Sequence, residues 1–194
     1  SRSGMLSASS SQVSQAVVWL SFNMHGNEAS TMETTLGLLY RLASDPDQLN
    51  RLSRDLVIVM DPCSNPDGHS RYVNWHRMVS TRMPDPDPMA REHFEPWPYG
   101  RANHYLFDMN RDWAWQSQHE SRLRMEAYHS WMPQVHIDFH EQGYNTHYFF
   151  GPGAKPIHIL IENWQKDFQR QIAENIAQHF DDKNWRYFTD ERFD

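Results

Sequence analysis

The sequence predicts an α/β fold, a mixed, largely parallel sheet flanked by helices, and three observations carry that expectation. Short, largely apolar runs occur at residues 17–22, 56–60 and 135–139, the pattern of strands covered on both faces. Stretches with apolar residues at helical spacing alternate with them, an arrangement that makes neighbouring strands parallel. Polar clusters, His25 with Glu28, Asn65 with Asp67, and His140, sit where the runs end, the edge at which such sheets place ligands.

Residues 1–15 are Ser- and Gln-rich, lack apolar periodicity and read as a lead-in. The first strand, VVWLSF, is followed by a loop bearing His25 and Glu28. Ser30-Thr31-Met32-Glu33 then has the Ser-x-x-Glu form of a capping box, and Met32, Leu36, Leu39 and Ala43 continue at helical spacing. The second strand, LVIVM, ends in Asp61-Pro62 and the turn-rich CSNPDG. Residues 79–100 hold five of the eleven prolines, which predicts a long surface loop. A helix is expected over 113–131. The third strand, VHIDF, leads straight into His140-Glu141-Gln142-Gly143. Beyond it Ile157, Ile161, Trp164, Phe168, Ile172, Ile176 and Phe180 mark one face of a long amphipathic helix, and residues 185–189 are a last strand candidate.

With 194 residues, 39% of them hydrophobic, the chain suffices for one sizeable core, and one domain is expected. A formal charge of −7 and the lack of a Lys/Arg run argue against a nucleic-acid surface or an anionic-membrane anchor. The lone Cys63 excludes an internal disulfide and a CxxC metal or redox pair. No apolar run approaches the roughly 18 residues of a membrane span, and the N-terminus lacks the apolar segment of a signal peptide.

A hydrolytic zinc site takes three protein ligands from His and carboxylate and keeps one position open. His25, Glu28 and His140 meet that recipe, two from one loop and the third from a neighbouring strand end. The spacing alone does not separate a metal half-site from two turn residues, because short motifs arise by chance among 12 histidines and 25 acidic residues. The strand-end placement of both pieces favours the metal. His136, Asp138 and His140 form a competing cluster, since alternate residues of a strand share a face; Asp138 is equally an outer partner of a metal-binding histidine. His119, His129 and His158 fall in predicted helices and read as surface or packing residues. A second constellation, GRANHYLFDMNRDW at 100–113, sets arginines and asparagines around a short apolar insert. It suits recognition of an anion, because Arg can grip a carboxylate through two parallel hydrogen bonds, and it equally suits a surface salt-bridge segment.

In that order, HGNE, NPDG, GRANHYLFDMNRD and DFHE resemble the zinc metallocarboxypeptidases, the funnelin group that includes carboxypeptidases A and B and the D/E/N branch. The resemblance runs from about residue 16 to 141 and implies the carboxypeptidase-like (phosphorylase/hydrolase-like) form of the α/β fold. It also implies Zn2+ held by His25, Glu28 and His140, and Asp108 orienting the first of the two histidines. By the D/E/N pattern, Arg101 polarises the scissile carbonyl while Asn110 and Arg111 bind the terminal carboxylate of a peptide or peptide-like substrate. Arg71 and Arg77 fit the polarising role less well by their distance from Asn110. The family's general-base glutamate lies well beyond the last zinc histidine, and residues 141–194 offer no match. Glu141 is expected to point to the opposite face from His140, and Glu162 and Glu191 have no motif around them.

The resemblance therefore implies a zinc carboxypeptidase catalytic domain over 16–194, missing its C-terminal part, that binds zinc but turns peptides over poorly. NRDW and HEQG depart from the usual family wording and suggest a divergent branch. Amino-acid deacylases and cell-wall peptide hydrolases of the same fold, and a zinc- or carboxylate-binding module without catalysis, stay open beside it. Members of the family are commonly secreted or periplasmic, which is the compartment the resemblance implies.

Overall fold

The structure, a computed structural model, describes residues 15–143, 146, 148, 151, 153 and 155–188. Residues 1–14 of the lead-in expected over 1–15, and Thr189 and Glu191, lie outside the described residues. The chain divides into two compact units, Ser1–Glu141 and Gln142–Asp194.

The first unit is built on a three-stranded parallel sheet of order β2-β1-β3, with β1 Ala16–Phe22, β2 Leu56–Asp61 and β3 Val135–Phe139. All three strands fall on the apolar runs. β1 is central, and its last four residues are buried, as a strand paired on both edges and covered on both faces must be. Phe22 stacks on Phe139 with centroids 4.4 Å apart, and Trp19 packs against Tyr128 of a flanking helix. Register places Leu20 beside both Met60 and Ile137, and Ser21 beside Asp61 and Asp138. The polar edge is therefore the common carboxyl end of all three strands.

Helix α1, Ser30–Ser44, begins where expected but not by the expected device. No capping box forms: Ala29 precedes the helix without a side-chain bond, the Glu28 carbonyl accepts from both N and Oγ1 of Thr31, and the Ser30 N–H is taken by the Glu141 carboxylate. Its buried positions are Thr31 and Thr35, whereas Leu36 and Leu39 are exposed. Thr35 satisfies its hydroxyl on the Thr31 carbonyl at 3.0 Å, which lets a polar side chain be buried there.

Two helices were not expected, one of them at the turn-rich CSNPDG. Helix α2, Pro46–Asp55, starts with Asp45 accepting from the Gln48 N–H, and α3, Pro66–Val79, starts with Asn65 accepting from the Gly68 N–H at 2.9 Å. In each, Asx before Pro reads as a turn, yet the same pair is a helix start, with the capping oxygen at N-cap and a proline that needs no N–H at the first position. Residues 80–100 form the expected surface loop, interrupted by a single 3-10 turn at Arg91–His93.

Helix α4 runs His119–Trp131, six residues shorter at its start than the periodicity predicted. The buried carboxylate of Asp112 holds residues 113–118 in a turn, accepting from Ser117 N and Oγ and from Gln118 N at 2.7 to 2.9 Å.

In the second unit, α5 spans Asn163–Asp182. A Glu162/Gln165 capping box starts it there, so Ile157 and Ile161, expected on its face, precede it. The expected last strand is reduced, among the described residues, to one parallel bridge between Tyr187 and Tyr148, beside which Phe180 packs against Tyr148, Trp185 and Tyr187. No helix among the described residues is long and apolar enough to cross a membrane.

Candidate metal centre

The loop after β1 turns on Asn23. Its φ of 58° lies in the left-handed region, which Asn tolerates better than most residues, and its side chain is fully buried. The carboxamide Nδ2 donates toward the carbonyls of His25 and Glu28, both at 3.2 Å, and of Gly26 at 3.4 Å. One side chain thus gathers the carbonyls of the whole HGNE turn, and the turn presents His25 and Glu28 on the same side.

Three glycines from three separate motifs meet behind that turn. A side chain on Gly26 would collide with the backbone of Gly68 and His69 and come within 2.6 Å of the Gly100 carbonyl; one on Gly68 would lie 2.7 Å from the Ala102 carbonyl. Asn65, buried at the start of α3, donates to the Met24 and Arg101 carbonyls and ties the same three segments together. Arg71, one of the two alternative polarising arginines, is committed to the carbonyls of Tyr99, Ala102 and Asn103. It shapes the loop that carries Arg101 and is not free to meet a ligand.

On this frame His25, Glu28 and His140 converge, with one potential ligand atom from each lying within 4.8 Å of the others. The Nδ1 atoms of the two imidazoles face the two oxygens of the Glu28 carboxylate, His25 on Oε1 at 2.7 Å and His140 on Oε2 at 2.9 Å. Both Nε2 atoms point away to carboxylates, that of His25 to Asp108 at 3.3 Å and that of His140 to Asp138 at 2.8 Å. The first histidine is 3% exposed.

Charge follows this geometry. Burial pushes the Glu28 carboxyl up, but hydrogen bonds from His140 and His25 and their charges outweigh it and hold it at about 2. Burial pushes His140 down, yet hydrogen bonds to Asp138 and Glu28 raise it to about 9. Burial raises Asp108 and Asp138 too. The charges of His25 and Arg101 bring Asp108 below the ordinary carboxylate range, and hydrogen bonds from His140 and Ser21 do so for Asp138. Glu28 thus stays ionised between the two Nδ1 atoms. Two imidazole nitrogens and a carboxylate, with both far ring nitrogens held by acids, are a donor set that fits zinc.

The second constellation lies alongside. Arg101 donates from Nε to Asp108 Oδ2 at 3.0 Å and brings Nη1 to 3.3 Å from His25 Nδ1. Met109–Arg111 is a short 3-10 turn begun by Asp108, whose Oδ1 accepts the Asn110 N–H. Asn110 sets its amide nitrogen 3.4 Å from His140 Nε2 and accepts from Trp113 Nε1, while the exposed Arg111 guanidinium has no hydrogen bond or ion pair to any described residue.

Glu141 is bound at the Ser30 N–H, at the start of α1. Several supporting residues escaped the sequence reading. Asn23 has no motif signal beyond being an Asn after a strand. The Arg124 pair with Asp61, at 3.2 Å, joins residues 63 apart, which no local pattern reveals.

No curated protein matches the chain. The family model described as zinc carboxypeptidase matches residues 4–148, the span that holds the sheet, the converging His25, Glu28 and His140, and the Arg101 segment. With well over half its length matched, this chain belongs to the zinc carboxypeptidase family.

Proposed function

We propose that His25, Glu28 and His140 hold a zinc ion and that the site acts on peptides or peptide-like amides with a free C-terminal carboxylate. The observation that carries this reading is the convergence of both Nδ1 atoms on Glu28 while both Nε2 atoms are held by carboxylates, an arrangement that fixes ring orientation and raises ligand basicity. Zinc, when bound there, supplies Lewis acidity to the scissile carbonyl and to the attacking water.

The chain's own groups would do the rest. Arg101, anchored through Nε to Asp108, keeps its Nη1 near His25 and would be placed to donate to a carbonyl oxygen as it gains negative charge. Asn110 and Arg111, which has no partner among the described residues, would take the substrate's terminal carboxylate, Arg111 through two parallel hydrogen bonds. For the general base the described residues offer little. Asp108 and Asp138 are each occupied by an imidazole, and Glu141 is occupied at α1. We therefore read this chain as one that binds zinc and hydrolyses peptides slowly or not at all.

Zinc stoichiometry of the purified chain tests the first part. About one equivalent is expected, lost in His25→Ala and in His140→Ala; unchanged stoichiometry in both variants would sink the assignment. A substantial rate on a C-terminally unblocked peptide, abolished by Glu141→Gln, would show that the base is within the chain after all.

A further inference from the structure

The contacts of His140 do not end at Asp138. Asp138 uses its two oxygens in opposite directions: Oδ2 holds His140 Nε2 at 2.8 Å, and Oδ1 accepts the hydroxyl of Ser21 at 2.7 Å. Ser21 lies opposite Asp138 in the β1–β3 register and is fully buried, so no solvent competes for its proton. Its oxygen also lies 2.9 Å from His136 Nε2. A hydroxyl has one proton and two acceptor positions. With that proton given to Asp138, the contact with His136 requires the ring to donate Nε2–H to Ser21 Oγ. The direction of every bond is then set: His136 donates to Ser21, Ser21 to Asp138, and Asp138 receives His140 from the other side.

Strand periodicity makes this chain of bonds possible. His136 and Asp138 alternate along β3 and share a face, His140 follows one residue past its end, and Ser21 on β1 reaches that face where the two strands are in register. Without the hydroxyl, the Asp138 carboxylate is held at one oxygen only and can rotate, and the His140 ring loses the fixed partner that aims Nδ1 at Glu28.

We propose that Ser21 is a positioning residue for the metal centre: oriented by His136, it locks Asp138 so that Asp138 can fix the His140 ring. The proposal rests on the reading that His140 is a zinc ligand. It predicts that zinc affinity depends on a hydroxyl that touches neither the metal nor its ligands.

The test is zinc affinity of the full chain, measured by competition with a chromophoric chelator for the wild type, Ser21→Ala, Asp138→Asn, the double variant and His140→Ala. Loss of an outer partner of a metal-binding histidine weakens metal binding about 10- to 100-fold, and Ser21→Ala is expected near the tenfold end. If Ser21 acts through Asp138, the double variant binds zinc no more weakly than Asp138→Asn alone, within about twofold. The visible spectrum of the cobalt-loaded chain should shift in Ser21→Ala, because it reports ligand geometry rather than fold. Should far-UV circular dichroism show that Ser21→Ala does not fold, Ser21→Cys replaces it, with a similar size and a weaker donor, and a smaller loss in the same direction is expected. Wild-type affinity in His140→Ala would overturn the underlying metal assignment. Loss there with full affinity in the Ser21 variants, or losses that multiply in the double variant, would overturn the role of Ser21 alone.

Discussion

The loop at residues 23–28 and the segment at 101–111 meet at the same cluster, but they commit their polar groups differently. In the loop every group is spoken for: Asn23 gathers three carbonyls, His25 is held at both ring nitrogens, and Glu28 is held at both oxygens. In the segment the backbone is equally tied, with Asn103 buried and accepting from Tyr105 and Phe107, but its arginines are less committed, Arg101 holding Asp108 through Nε and Arg111 no described residue. The Arg101 side chain is 41% exposed and Arg111 is free of any described partner. On the proposed function this is what a metal demands, fixed ligand positions on an over-determined loop. On the same reading a substrate carboxylate arrives and leaves, which suits donors left exposed at the surface.

The largest effect should come from breaking the backbone junction that both regions share. Gly26→Ala places a methyl group inside the backbone of Gly68 and His69, where no rotamer change relieves it. The expected loss is about 3 kcal/mol or more, the upper end for overpacking, measured by urea unfolding. Gly37→Ala is the contrast. A Cβ there meets nothing within 4 Å in the interior of α1, and that variant should gain up to about 1 kcal/mol from helix propensity. Equal effects at the two glycines would show that the three-glycine junction is not close-packed.

Next is the loop's organiser. Asn23→Ala forces a residue with less tolerance for φ of 58° into the left-handed region and removes the one amide that gathers three carbonyls of the turn. A loss of about 2 kcal/mol is expected from strain and unmade hydrogen bonds together, with zinc binding weakened in parallel. Asn23→Gly relieves the strain but not the lost donor. If it restores stability without restoring zinc, the carboxamide is what holds the ligands in place.

These cases show where the sequence was readable. The strands at 17–22, 56–60 and 135–139 were plain because each is an apolar run of strand length, although only β1 ends fully buried while β2 is half-buried and β3 is exposed at His136 and Ile137. Ordered motifs picked out His25, Glu28 and His140, which the fold does bring together, because His and Glu at strand ends are chemically special residue types. The helices after Asp45 and Asn65 were missed because a capping Asx before Pro is the same local chemistry as a turn, and only tertiary packing decides which follows. The buried face of α1, made of Thr31 and Thr35 rather than leucines, was hidden for a related reason. Threonine hydroxyls can be satisfied within the helix, and composition does not reveal when they are. Asn23, Ser21 and Arg124 act across the sheet, through contacts that sequence separation conceals.

A middle-sized effect is expected where the segment is anchored to α4. Burial raises the Asp112 carboxyl, but hydrogen bonds from Gln118 N–H and from the Ser117 hydroxyl and N–H bring it down to about 2, below its ordinary 3.8. A folded-state value below the unfolded one means the carboxylate stabilises the fold above about pH 4 and loses that contribution as the pH falls toward 2. Asp112→Asn keeps one acceptor and sets an amide donor against a backbone N–H. It should cost about 2 kcal/mol at neutral pH, and the gap from wild type should close between pH 4 and 2 in denaturant titrations. A gap that persists at pH 2 would mean that shape, and not charge, holds the turn.

The smallest effect on stability, and the most selective on function, belongs to Arg111. Its guanidinium is exposed and makes no bond to a described residue, so Arg111→Ala should change the unfolding free energy by less than about 0.5 kcal/mol. Affinity should separate where stability does not. A peptide with a free C-terminal carboxylate should bind the zinc-loaded variant about tenfold more weakly, as expected for loss of a charge-assisted pair, while its C-terminal amide binds as it does to the wild type. Calorimetric titration with the two peptides is the check, and it does not require turnover. Equal loss for both would take Arg111 out of the carboxylate role. Loss of stability with no change in binding would place it among the committed groups, and the contrast between a fixed metal loop and a waiting anion segment would then fail at its clearest point.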